Sequence, residues 1–276
     1  MKYRVFLLST PVALFAALVS TFAVTASGDE PKQHIDVGKL PQQATVVDDV
    51  IVPVPSEVFG VLDKLGSPNW HEVLRSEKST VPSSRPEIAL LLGKVIAEGF
   101  VAVEAQDSEE VKRIGTTVLD LSAALGVRKA VVSRSGAIIE YADKKDWPHA
   151  RQELDGALED VKNAMDELHD EELAQLVSLG GWLRGTEALT QVVSRNYTKD
   201  SAGLLHQPVL LDYFDHRLAH MSLRLRGNDV VAKIQKRLPE IRPLIGEADS
   251  DISKQSVDQI REIVHDLVNS IAPTGP

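Results

Sequence analysis

The stretch 178-SLGGWLRGTEALTQVV-193 decides how this chain folds. Its apolar residues recur at helical spacing, yet Gly180, Gly181 and Gly185 stand where alanine or leucine would be ordinary. Each glycine in a helix interior costs about 1 kcal/mol relative to alanine, so the cluster implies that something approaches this helix closely. Arg184 continues the row Leu173, Leu176, Val177, Gly180, and Glu187 follows Leu183 by four, which aims both charges toward or along the buried face.

Upstream, the acidic residues Asp170, Glu171 and Glu172 suit the start of this helix, where the macrodipole favours negative charge. Counting from Pro86, four more helices are predicted before it. Pro86 opens a long one with Ile88, Leu91, Leu92, Val95, Ile96, Phe100 and Val103 at helical intervals, ending near Asp107. Ser108 opens the next, closed by Gly126; a third covers about 127–142; a fourth begins at Asp146 with Trp147-Pro148 in its first turn.

Downstream, residues 197–203 are expected to form a loop. Pro208 precedes a helix carrying Leu211, Phe214, Leu218, Met221 and Leu225, Gly227 breaks it, and Asn228 caps another. Pro239 and Pro243 kink or split that segment, and Ser253 begins the last helix. No sustained period-2 pattern competes with these. The prediction is an all-α, multi-helix bundle over 86–271 with an irregular N-terminal arm.

A short echo relates two of the helices: Leu92-Gly93-Lys94-Val95-Ile96 against Leu179-Gly180-Gly181-Trp182-Leu183, 87 residues apart. Two related four-helix halves are one reading of it, and the general likeness of amphipathic helices is the other.

The remaining segments divide as follows. Lys2 and Arg4, the apolar run Val5 to Ala23 and the small-residue site Val24-Thr25-Ala26 predict a signal peptide over 1–26, with Ser27 as the mature start. An uncleaved membrane anchor is the alternative, since the apolar run approaches a span if Pro11 is tolerated. Residues 27–55 are polar and punctuated by Pro31, Pro41, Pro53 and Pro55, as in a flexible or extended arm. Within it Ala44 to Val47 and Val50 to Val52 have strand-like composition, although Asp48 and Asp49 interrupt them and no later partner strand is evident. Residues 56–85 are predicted to hold two short helices, the first from Ser56 and the second carrying Trp70, Val73 and Leu74, and then a linker. A frayed tail covers 272–276.

Composition sets further limits. The 276 residues are 43% hydrophobic, enough for a substantial core, and none is cysteine, which removes disulfides, thiolate metal sites and cysteine nucleophiles together. After signal cleavage, 28 of the 30 Lys and Arg remain against 40 Asp and Glu, a net charge of about -12. Such a surface repels phosphate backbones, so no nucleic-acid partner is expected. Nor do any phosphate-cradling glycine loop, Gly-x-Ser-x-Gly elbow or His-Glu-x-x-His motif occur, and no cofactor is implied.

Two constellations carry candidate chemistry. Glu98 lies on the row Leu91, Val95, Glu98, Ala102 of the first long helix, facing inward as Arg184 does, and Glu187 offers a second acceptor. Glu98, Trp182, Arg184 and Glu187 thus either form an interhelical ion pair that fixes register, or line a cleft in which Arg184 grips a small anion, or extend to solvent. Asp212, His216 and His220 share one helix face at spacings of four, a pattern that holds zinc when further ligands join it, or else simply a solvated polar face. Imelysin-like periplasmic bundles carry Gly-x-His-x-x-Glu; this chain has Leu183 and Thr186 at those His and Glu positions after Gly181, so their metal-linked role does not transfer.

Taken together the residues predict an exported, periplasmic or secreted, non-catalytic binding or interaction module. Its partner is another protein or a small anionic ligand, and membrane contact arises only if the N-terminal segment is retained. The alternative is a metal-binding protein using the face Asp212, His216, His220.

Overall fold

A sixteen-residue run that is apolar except for Lys94 and Glu98, Ile88 to Val103, occupies the centre of the molecule in the computed structural model, and every residue of it is buried. A helix with no polar face has to be surrounded, and this one is. The model describes residues 45–47, 50–52, 68–75, 81–247 and 250–271, all within one compact unit, Ile35–Pro276. The expected signal peptide, most of the arm, the helix expected from Ser56 and the tail lie outside the described residues.

The fold is all-α, a multi-helix bundle. Helix α1 (Arg85–Glu104) starts with Pro86 in its first turn. Helix α2 (Ser108–Leu125) is capped by Asp107, whose carboxylate accepts from the Glu110 amide, and ends at Gly126 in the left-handed conformation with φ 87°. Helices α3 (Arg128–Asp143), α4 (Trp147–Glu167) and α5 (Glu171–Arg195) follow through short connections. Short connections make successive helices antiparallel, which leaves α5 parallel to α1. Arg85 accordingly meets Asp170 at one end of the pair, and Glu98 meets Arg184 farther along. Among the described residues the most extensive packing is between α1 and α5.

The second half is more broken. The expected loop at 197–203 contains a one-turn helix α6 (Lys199–Gly203), held by a capping box in which Thr198 and Ser201 exchange side-chain-to-backbone hydrogen bonds. Helix α7 (Pro208–His220) stops earlier than its apolar pattern implies: Met221 turns extended at ψ 154°, and Leu225 belongs to a separate turn, α8 (Leu223–Arg226). Asn228 caps α9 (Asp229–Arg237) by accepting from the amides of Val230 and Val231. Pro239 then forces a 3-10 turn (Leu238–Ile241) and Pro243 opens the short α10 (Arg242–Ile245), so the segment is split as the prolines require. The final α11 (Lys254–Ile271) packs along α5, with Asp258 beside Ser194 and His265 beside Glu187, hence antiparallel to it.

The strand-like runs in the arm find their partner in each other. Thr45–Val47 (β1) and Val50–Val52 (β2) form an antiparallel ladder with Val46 opposite Ile51, and β2 lies beside α7. The pairing is local, between neighbouring segments two residues apart, so no later strand is needed. Between the arm and α1, a 3-10 turn (Trp70–Glu72) lies across the bundle with Trp70 and Val73 buried.

Candidate functional site

Three of the four residues of the expected binding cluster meet. Arg184 on α5 is 0% exposed, and its Nε donates to Glu98 Oε2 of α1 at 2.5 Å. Its Nη2 donates to the carbonyl of Val73 at 2.7 Å, and its Nη1 lies 3.4 Å from Glu187 Oε2, one turn on. The helical rows that aimed these side chains inward are the reason they converge, because α1 and α5 run parallel and present the same face to each other.

The cluster is larger than the sequence suggested. Arg75 enters it from the segment after the 3-10 turn: its backbone amide donates to Glu98 Oε1 at 2.7 Å, and its guanidinium bonds Glu187 Oε1 and Asn269 Oδ1. His265 Nδ1 reaches the same Glu187 oxygen at 2.7 Å from the more exposed side of α11. Lys94, one turn before Glu98 and 1% exposed, donates to the Val268 carbonyl at 3.3 Å. Two guanidinium groups therefore face two carboxylates across α1, α5 and α11. Opposite charges at this distance and burial stabilise each other, whereas a lone one would be costly.

Trp182 does not belong to this group. Two residues before Arg184 means about 200° around the helix, so it projects from the opposite side. There its indole Nε1 donates to Gln207 Oε1 at 3.0 Å and its ring tilts against Phe214, 5.5 Å between centroids. It lines a small apolar space of about 10 Å³ with Leu205, Leu211, Ile245 and Ile260, room for about one water. The cleft drawn around Arg184 and Trp182 together is thus divided by the helix itself.

The glycines differ in what they do. A Cβ on Gly180 would stand 2.1 Å from the Leu90 carbonyl oxygen, and one on Gly93 would stand 1.8 Å from that of Val177. Backbone against backbone leaves no room for either. Gly181 is looser, 3.4 Å from the Gly93 oxygen, and Gly185 has nothing within 4 Å, so close approach accounts for Gly180 and not for Gly185.

Asp212, His216 and His220 do share an exposed face of α7. The two imidazoles stack with centroids 4.1 Å apart, and His220 Nδ1 bonds the His216 carbonyl at 2.8 Å. Asp212, however, is turned to Arg242, with 3.6 Å between its Oδ1 and the Nε. Among the described residues no group of three His, Asp or Glu side chains could hold a metal ion.

Sequence reasoning missed Arg75, Lys94, His265 and Asn269. Only Lys94 left a signal, a lone cation inside the unbroken apolar run Leu90 to Ile96. Arg75 stands between the short helix expected around Trp70 and the linker, and His265 and Asn269 lie off the apolar stripe of the last helix, so none of the three stands out.

Among the described residues no helix is long and apolar enough to cross a membrane. Comparisons with protein-family models, with curated proteins and with solved structures give no match for this chain.

Proposed function

We propose that the protein is an exported, non-catalytic helical module that works by engaging another protein. The observation that carries this reading is the internal closure of Arg184. Its guanidinium is met by Glu98, Glu187 and the Val73 carbonyl of its own chain, so the group best suited to grip a small anion is already engaged. The anionic-ligand reading needs that group turned to an open cleft. Export rests on the order of charged, apolar and small residues in the first 26 positions.

The metal-binding alternative rests on His216 and His220, whose paired rings leave both Nε2 atoms without a third neighbouring ligand among the described residues. Two imidazoles alone make a weak site, because a divalent ion wants more ligands and support behind them.

One preparation tests the reading. The chain from Ser27, purified without a histidine tag, is expected to give a native mass equal to the polypeptide and no stoichiometric metal on elemental analysis. A co-purified small anion, or zinc at one equivalent that is lost in His216→Ala, would replace the reading with a ligand-binding or metal-dependent one.

A further inference from the structure

Besides pairing with each other, the buried charges around Arg184 hold a short length of main chain. Arg184 Nη2 donates to the carbonyl of Val73 at 2.7 Å; Glu98 Oε1 accepts the amide of Arg75 at 2.7 Å; Gln191 Nε2 donates to the carbonyl of Glu72 at 2.9 Å. Three side chains from α1 and α5 therefore hold three main-chain groups of residues 72–75. Side chains of the same segment add anchors. Trp70 and Val73 are 5% and 2% exposed, and Arg75 reaches Glu187 and Asn269 on the far wall. Main-chain hydrogen bonds combined with pockets for spaced side chains are a recurring way to recognise a peptide, and here they hold a single turn rather than an extended strand.

We infer that the groove between α1, α5 and α11 is a peptide-binding site, occupied here by Trp70–Arg75 of the same chain, and that the protein engages its partner by exchanging this strap for a partner segment. The partner segment carries the same anchors: an aromatic residue, an aliphatic residue three positions on, and an arginine two beyond that. This rests on the reading of the protein as an interaction module and names its site.

The occupant is specified by what the groove fits. The strap enters the bundle as a single 3-10 turn, with the Val73 and Leu74 amides donating to the Trp70 carbonyl, and among the described residues it pairs with no strand; the Val73 carbonyl and the Arg75 amide go to groove side chains. Exchange is governed by the tether. Ser76 to Ser84 connect the strap to α1, and a short linker gives its segment an effective concentration on the order of millimolar, which a free peptide must exceed. The intact chain is therefore self-inhibited. Severing the linker leaves the strap held only by non-covalent contacts, its own and those that β2, on the same fragment, makes with α7, and open to competition.

The experiment uses the full chain with a specific protease site placed in residues 76–80 and a fluorescein-labelled peptide spanning residues 67–76, SPNWHEVLRS. After cleavage, anisotropy is expected to show saturable binding at least about tenfold tighter than to the uncut chain. The peptide variants Trp70→Ala and Arg75→Ala are expected to bind at least about tenfold more weakly to the cut chain. Gln191→Ala, at the partly exposed rim, is expected to weaken the peptide while leaving the helical circular dichroism unchanged. A cut chain that stays folded and takes up no peptide overturns the inference. So does a cut chain that unfolds, because the strap is then part of the fold, and so does a cut chain that dimerises without peptide uptake, because the occupant is then a second copy. Failure here with an empty native mass leaves the interaction-module reading standing with its surface elsewhere; a bound metal or anion in that mass removes the reading itself.

Discussion

Gly93 and Gly180 lie against each other's helices in a reciprocal way: Gly93 meets the carbonyl of Val177, three residues before Gly180, and Gly180 meets the carbonyl of Leu90, three residues before Gly93. A parallel helix pair with this exchange has a local twofold relation, and it falls on the two segments whose sequences echo each other 87 residues apart. The closeness it permits sets the depth at which Glu98 and Arg184, farther along the same pair, can meet at 2.5 Å.

Alanine at the two crossing glycines is expected to force the helices apart. Gly180→Ala and Gly93→Ala each put a methyl group within 2.1 Å of a backbone oxygen, and overpacking of this kind costs about 1–3 kcal/mol or more. Gly185→Ala, on the same helix with open space beside it, is expected to stabilise by about 0.5–1 kcal/mol. Urea denaturation of the three variants checks the contrast; equal effects at 180 and 185 would remove close approach as the reason for the glycines.

Replacing one member of the buried pair leaves the other charged and alone. Arg184→Met is expected to cost about 3–5 kcal/mol, and Arg184→Met with Glu98→Leu appreciably less than the sum of the two single changes. A double-mutant cycle by chemical denaturation measures the coupling. Additive losses would mean that the two side chains do not depend on each other.

Acidification is expected to weaken the anchoring of α11. The Asp266 carboxyl is held below its ordinary value of 3.8 by hydrogen bonds from Lys233 and then Arg237, and that of Asp258 by hydrogen bonds from Lys254 and then Ser194. A carboxyl whose folded value is depressed adds stability above its unfolded value and loses it as the pH falls through the folded one. The Tm of the wild type is therefore expected to exceed that of Asp258→Asn/Asp266→Asn at neutral pH, with the gap closing below about pH 4. A gap that stays constant to pH 2.5 would show that these ion pairs contribute nothing that titrates.

The helices were legible because their signals are local. Pro86, Pro208, Asn228 and Ser253 mark starts by physics that acts within one turn, and the apolar rows fix which sides are buried. The break at Met221 was not legible, since Leu218, Met221 and Leu225 continue a helical stripe that the chain satisfies with two short helices instead of one. The meeting of Glu98 with Arg184 could be read from two inward-facing rows. The participation of Arg75 could not: it depends on where a segment with one turn of regular structure crosses the bundle, and nothing periodic encodes that crossing.

The clamp on the strap rests most directly on one proton, the backbone amide of Arg75 that Glu98 accepts. Amide hydrogen exchange of the full chain follows it. The Arg75 amide is expected to exchange at least about a hundredfold more slowly than an unstructured amide, yet faster than the core amides of α1 and α5, because the strap opens without global unfolding. Exchange of Arg75 at the unstructured rate, with α1 and α5 still protected, would contradict the clamp.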